Sequence, residues 1–360
     1  MNERSDTTDS PGGTMGRHLV LLPLVALLSS GGLSAQLKTK EAERLFRSRE
    51  ILDLTLIAPL KSLFKNRDTV EKIPQSGQLV VPSEAGVDTV PVTLETRGHF
   101  RLKSSTCSFP PIKVIFDKST LKETLFRGQG SLKLATHCRG GDRYEQNVLL
   151  EESIYRIYNL LTPLSHRTRL VRMRYLDTED PDKDLVRMAF FLEDDDEVAK
   201  RNGATEMKVP ALALSEMDPP QLDLMSVFLY MIANHDWSIY ALHNTRVMRV
   251  DGYPLMYPVA YDFDFSGLVN APYAGPPPQL PQLKRLRDRL YRGPCRSVEE
   301  LTPTLELFSA KKDSILAIIR DQPGLESGRV KDAVNYLDDF FKGIEKAKDF
   351  DRDLDYACRR

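Results

Sequence analysis

The 360-residue chain lacks an excess of either charge, with 50 Lys and Arg against 51 Asp and Glu. That balance gives no electrostatic reason to expect a nucleic-acid partner. It lacks any C-x-x-C, which argues against a zinc ribbon or a thioredoxin-like redox motif. It shows no internal repeat, and 41% hydrophobic with 28% charged residues leaves no fibrous or disordered bias. Tryptophan occurs once, at Trp237. The N-terminal apolar run Leu19–Leu28 is too short to cross about 30 Å of hydrocarbon as a helix.

That run has a recognisable context. Arg17 and His18 precede it, and small residues ending in Leu33-Ser34-Ala35 follow. A positive start, an apolar centre and a small-residue cleavage site make a secretory leader. Residues 1–35 are therefore expected to be a signal peptide cleaved near Ala35, with Gln36 the new N-terminus. The rest is expected to be exported, to the periplasm or the exterior, with no membrane span after cleavage. Export gives meaning to Cys107, Cys138, Cys295 and Cys358, an even number suited to disulfides. Four cysteines allow three pairings; those nearest in sequence are Cys107–Cys138 and Cys295–Cys358.

Beyond the leader the chain reads as two halves. In the first, "VPVTLETRG", "PIKVIF", "SLKLATHC", "RTRLVRMRYL" and "LVRMAFFLE" are short, rich in Val, Ile and Phe, and bounded by turn residues, as strands are. Between the third and fourth, "YEQNVLLEESIYRIYNLLT" repeats apolar residues at helical spacing. A sheet with one long helix laid on it is the expectation for 36–200. The second half, 201–360, reads as mainly helical. "DLMSVFLYMIANHDW" is apolar on nearly every side, a buried helix with Asp223 as candidate N-cap. "NTRVMRV" and "MYPVAYDF" form a hairpin about Asp251-Gly252, and two amphipathic helices close the chain. The segment "NAPYAGPPPQLPQ" carries five prolines, which forbid regular structure there.

The chemistry-bearing residues fall at the ends of apolar segments: Asp236, then Asn244, then Asp262 and Asp264. Magnesium bound to a phosphate chain takes oxygen ligands, commonly one or two carboxylates with a side-chain amide. A further Asp can take or orient an acceptor's proton, and a strand Lys can hold phosphate. Lys133 in "SLKLATHC" suits that last role, and a helix Glu that pairs with it could be Glu145, Glu151 or Glu152. Singly, each acid reads better as a helix-end or turn residue. It is the order, acid, amide, acid after a Lys strand and a Glu helix, that points to a magnesium-nucleotide site.

The stretches "FPPIKVIFDK", "LFRGQGSLKLATHC", the helix after them, "IANHDWSIYALHN" and "VAYDFDFSG" together resemble the spore-coat-protein-H (CotH) kinase family. The resemblance covers about residues 90–270. It implies an α+β, bilobal protein-kinase-like fold: an antiparallel sheet plus one helix in the first lobe, and a mainly helical second lobe. It further implies Lys133 as phosphate lysine, Asp236 as catalytic aspartate, Glu151 as the helix Glu, and Asn244 and Asp262 as metal ligands assisted by Asp264. Magnesium or manganese with ATP would be the cofactors, and a protein or small molecule the acceptor. The chain departs from the family pattern in three places: the span from Asp236 to Asn244 is longer than in ordinary kinases, so its loop must bulge; Tyr261 replaces the usual Trp; and the R-G-x-S-type loop is reduced to "TRGHFRLKSS".

Other motifs read more plainly. Gly128 and Gly130 suit a hairpin turn better than a phosphate turn. His137 suits packing or capping. The arginines of "HRTRLVRMRY" suit a solvated strand face, with a phosphate patch as the lesser reading. "EDDDE" (193–197) suits a solvated helix start. Three functions compete: an exported kinase-like phosphotransferase, an inactive cell-envelope binding protein of the same fold, and a metal-dependent hydrolase using Asp236, Asp262 and Asp264.

Overall fold

The computed structural model describes residues 37, 39–83, 86–346 and 354–355. The leader assigned to 1–35 and the Cys295–Cys358 pair both involve residues outside the described ones. Residues 35–360 form one compact unit, and the architecture below is that of its described residues.

Seven strands close a barrel: β1 (Leu52–Ala58), β2 (Gln75–Ser83), β3 (Gly86–Thr96), β4 (Ile112–Phe116), β5 (Ser131–Ala135), β6 (Thr168–Asp177) and β7 (Asp184–Leu192). Their order around it is β1-β2-β3-β4-β5-β7-β6, antiparallel throughout except for β1 beside β6. Alternation builds it. In β1, Leu54 and Leu56 point inward to meet Leu79 of β2, Leu94 of β3, Val114 of β4, Leu132 of β5 and Phe191 of β7. The outward residues are left to solvent or to the neighbouring elements.

This closure overturns the expected bilobal kinase-like fold with an antiparallel sheet and a single helix. The five strands read from sequence are present as β3 to β7. The cylinder is completed by β1 and β2, ahead of them in the chain. The seam is the parallel pairing of β1 with β6, Leu52 opposite Val171 through Ala58 opposite Asp177. No local pattern announces a contact between strands more than a hundred residues apart. At the end of the seam Asp177 accepts backbone N–H bonds from Leu60 and Lys61, which starts α1 (Leu60–Lys65).

The second hydrophobic core holds α2 (Asp142–Leu161), α3 (Asp195–Arg201), α4 (Pro219–Met231), α5 (Val298–Arg320) and α6 (Ser327–Glu345). Helix α2 lies against β7 and β6 of the sheet, as expected, and its other side packs in this core against α5, so it is buried on almost all sides. A three-stranded sheet flanks it, ordered β10-β9-β8, with β8 at Thr205–Met207, β9 at Thr245–Arg249 and β10 at Met256–Ala260. Asp218, not Asp223, caps α4, accepting from the Gln221 N–H at 3.0 Å. Pro219 at the first helical position has no N–H to satisfy and fixes the start. Asp223 lies inside the helix and pairs with Arg296 at 3.1 Å.

Cys107 and Cys138 form a disulfide. It ties the loop before β4 to the residues after β5, where the Phe109 N–H also donates to the Cys138 carbonyl at 2.8 Å. His137 beside it packs its ring 4.3 Å from Phe109. Among the described residues no helix is long and apolar enough to cross a membrane.

Candidate functional site

The hairpin β9–β10 sets the site's geometry. Thr245 pairs with Ala260, so Asn244 and Tyr261 meet at the open end, where the Tyr261 N–H donates to the Asn244 carbonyl at 3.1 Å. One residue further, Asp262 is brought beside Asn244. Both have left-handed backbones, φ 48° at Asn244 and 63° at Asp262. Asn and Asp tolerate that region better than most residues, yet it still costs roughly 1–3 kcal/mol where the surroundings enforce it. The enforcement is visible at Asp262, whose N–H donates to the Tyr155 hydroxyl of α2 at 2.8 Å.

The bulge expected between Asp236 and Asn244 is a tight hairpin. Ser238 and His243 exchange backbone hydrogen bonds, both 2.9 Å, with Leu242 at φ 49°. It folds His243 and Asn244 back onto Asp236. His243 Nε2 lies 2.8 Å from Asp236 Oδ1, and Asn244 Nδ2 donates to Asp236 Oδ2 at 3.0 Å. Trp237 is buried beneath this loop with Arg292 over its ring.

Lys133 comes from the barrel. On β5 its neighbours Leu132 and Leu134 point into the barrel core, so Lys133 points out of it. It pairs across the ladder with Leu192 of β7, and three residues later Asp195 begins α3. That places Asp195 Oδ2 3.0 Å from Lys133 Nζ. The same carboxylate meets His166 Nε2 at 2.8 Å and Arg246 Nε at 2.9 Å. Burial works to raise the Asp195 pKa, but the His166 hydrogen bond and the charges of His166, Lys133 and Arg246 outweigh it and hold the carboxyl well below its usual range. Burial lowers the Lys133 pKa despite Asp195, and the charges of Arg97 and Arg246 add to the fall. Lys133 and Arg246 lie over the Tyr261 ring at 5.2 and 4.2 Å, so this ring carries cations on its face.

A cavity of about 640 Å³ joins these groups. Lys133, Asp236, Asn244, Asp262 and Asp264 all line it, from segments some 130 positions apart in sequence, together with Arg97, Arg101 and Arg246. Lys133, Arg97 and Arg101 come from the barrel strands and their loops, while Arg246 stands on β9 of the hairpin that leads to Asp262. Glu151 is not Lys133's partner. It is buried beside Arg101, and burial followed by the charges of Asp264 and Asp262 raises its pKa well above the ordinary carboxyl value. The other two helix acids also turn elsewhere: Glu145 accepts from the Met188 N–H and Glu152 from the Thr168 hydroxyl.

Asp264 is 6% exposed, accepts from the Tyr273 hydroxyl at 3.0 Å and lies 3.9 Å from Arg101. Burial, then the Asp262 charge, pushes its pKa up to about 7. Tyr273 belongs to the proline-rich segment, which thereby forms one border of the carboxylate wall. Gly128 and Gly130 are not part of the cavity lining.

Among the described residues no three His, Cys, Asp or Glu side chains cluster as a metal site. A hard cation that keeps several waters needs less, and Asp262 with Asn244 supplies a carboxylate and an amide oxygen, a donor set that fits magnesium. Asp264, held by Tyr273 and Arg101, is the poorer ligand. Nothing in the sequence singles out Asp195, Arg101 or Arg246. Asp195 sits in an acidic run suited to a solvated helix start, and only the ladder from Lys133 through Leu192 turns it inward. No protein-family model matches the chain, and no curated protein matches it.

Proposed function

We propose that this cavity holds a nucleotide with magnesium and transfers a phosphoryl group to an acceptor. The observation that carries the reading is the convergence of Lys133, Asp236, Asn244, Asp262 and Asp264 on one cavity that also holds Arg97, Arg101 and Arg246. A phosphate chain needs cations along one side and, through a bound metal, carboxylates along the other. Lys133, flanked by Arg97 and Arg246, holds phosphate oxygens. Asn244 and Asp262 would hold the metal, which would neutralise charge on the transferred group. Asp236 is the acid left nearest solvent, its side chain 39% exposed, and orients or deprotonates the acceptor hydroxyl. His243 and Asn244 fix the direction of its two oxygens. The reading rests on this site and not on a kinase fold, and with a cleaved leader the reaction would take place outside the cytoplasm.

Thermal melting of the full chain tests it. An ATP analogue at about a hundred times its Kd adds roughly 2.7 kcal/mol, and the shift is expected only when magnesium is also present. Asp262→Ala abolishes the shift while the unliganded protein still melts cooperatively. No shift with any nucleotide rejects the proposal and leaves an inactive binding protein. A shift with manganese alone, indifferent to nucleotide, replaces it with metal-dependent hydrolysis.

A further inference from the structure

The arginines of β6 and of the residue before it differ in their surroundings. Arg172 and Arg174 are exposed and paired, with Asp53 at 2.9 Å and Asp184 at 2.5 Å. Arg167, just before the strand, is different. It lines a second cavity of about 420 Å³ with Arg49, Arg156, Arg201, Lys40 and Glu152. Among the described residues its guanidinium makes no hydrogen bond.

The nearest carboxylate is already committed. Glu193 accepts from Arg201 Nε at 3.1 Å and from Nη2 at 3.0 Å, and Arg201 completes its bonds on the Pro163 and Ser165 carbonyls. Burial, then the charge of Arg201, lowers the Arg167 pKa, and Arg49 adds to the fall. Arg156 uses Nη1 on Gln322 at 2.8 Å, while its Nε is buried without a partner. Glu152, 4% exposed, accepts from Thr168 through Oε1, and its Oε2 is buried with no hydrogen bond. Burial raises the Glu152 pKa, against the charge of Arg156, the Thr168 hydrogen bond, the Gln322 amide and the charge of Arg49. Six cations line the cavity against three carboxylates, Glu41, Glu152 and Asp321, so positive charge and unused donors predominate on its wall. A cation would add to the repulsion, and an apolar ligand would leave the donors unsatisfied. An oxyanion with several acceptor oxygens answers both deficits.

We propose that this cavity binds a small phosphate dianion, free or as the end group of a low-molecular-weight phosphate ester. The assignment does not depend on the reading of the first cavity.

Isothermal titration of the full chain with inorganic phosphate and with glycerol phosphate tests it. Saturable uptake of at least one probe is expected, and preference between them tells free anion from ester. Arg167→Ala and Arg49→Ala should each weaken uptake about ten-fold or more, the loss of a charge-assisted hydrogen bond. Arg174→Ala on the exposed strand face and Lys133→Ala in the first cavity should leave it unchanged. The guanidinium of Arg167 holds nothing in place, so its removal should leave the melting temperature of the unliganded protein unaltered. Absence of saturable uptake by the parent overturns the proposal. So does uptake that survives Arg167→Ala and disappears in Lys133→Ala, which places the anion in the first cavity.

Discussion

The two sides of the first cavity are built by different physics. On the barrel side, Lys133 occupies an ordinary mid-strand position, and its direction follows from the alternation that fills the barrel with Leu132 and Leu134. On the hairpin side, Asn244 and Asp262 reach the cavity through left-handed backbone that the surrounding hydrogen bonds enforce. One side presents its charge as a by-product of regular pairing; the other holds an unfavourable conformation to present its own. Lesions on the barrel side should therefore show first in stability, and lesions on the hairpin side first in ligand binding.

The group shared by both sides gives the largest expected effect. Asp195 neutralises Lys133 from the barrel and Arg246 from the hairpin, with His166 as a third partner. Asp195→Ala leaves these cations facing one another in a mostly buried space, a loss of about 3–5 kcal/mol by denaturant unfolding. Asp195→Asn, which keeps hydrogen-bond acceptance, should lose less. Equal, negligible losses in both variants would mean the two sides stand independently. Next comes the disulfide. Cys107 and Cys138 are 31 residues apart, and removing both by Cys→Ser should cost about 3–4 kcal/mol in the chain-entropy model. The lesion lies beside the loop that carries Arg101, so a nucleotide shift surviving in the folded fraction would show that the barrel side needs covalent support for stability only.

Much of this architecture was legible locally, and the failures share a cause. Helix α2, the β9–β10 hairpin and the five strands from Val90 onward carry their own periodicity, and the order of Lys133, Asp236, Asn244, Asp262 and Asp264 anticipates their convergence on one cavity. Closure of the barrel depends on β1 lying parallel to β6, a contact with no local signature. The pairing of Lys133 with Glu151 fails for a similar reason. Helix α2 is buried between β7, β6 and α5 and presents Glu151 to Arg101, while the ladder delivers Asp195 to Lys133 from beyond the end of β7. Asp223 shows the local version: it is a plausible cap by residue type, yet it lies inside a helix that Asp218 and Pro219 have already begun.

A pH measurement separates barrel from hairpin without touching either set of ligands. Burial, then the charges of Arg187 and Arg101, lowers the His137 pKa to about 3. The unfolded chain takes up this proton below about pH 6.5 and the folded chain does not, so the contribution is complete above that pH and is lost as pH falls toward 3. At pH 5 the loss is about 2 kcal/mol relative to pH 7.5. His137→Phe, which keeps a ring against Phe109, should flatten the slope between those two pH values. An unchanged slope would assign the acid sensitivity to other groups.

The smallest expected effect is the most specific to the hairpin, and it has the opposite sign. Asp262 has φ 63°, where glycine is at ease and other residues are not. Its charge also helps raise the pKa values of Asp264 and Glu151, a repulsion that ends when the carboxylate is removed. The N–H that donates to Tyr155 is retained by any residue but proline. Asp262→Gly should therefore stabilise the unliganded protein by about 1 kcal/mol, the release of backbone strain offset in part by the greater freedom of glycine in the unfolded chain. The same variant should lose the magnesium-dependent nucleotide shift altogether. Stability gained with ligand response lost is the signature of a residue held in place for chemistry. If Asp262→Gly instead destabilises the fold by as much as the barrel lesions do, the contrast between the two sides collapses, and Asp262 is a structural turn residue.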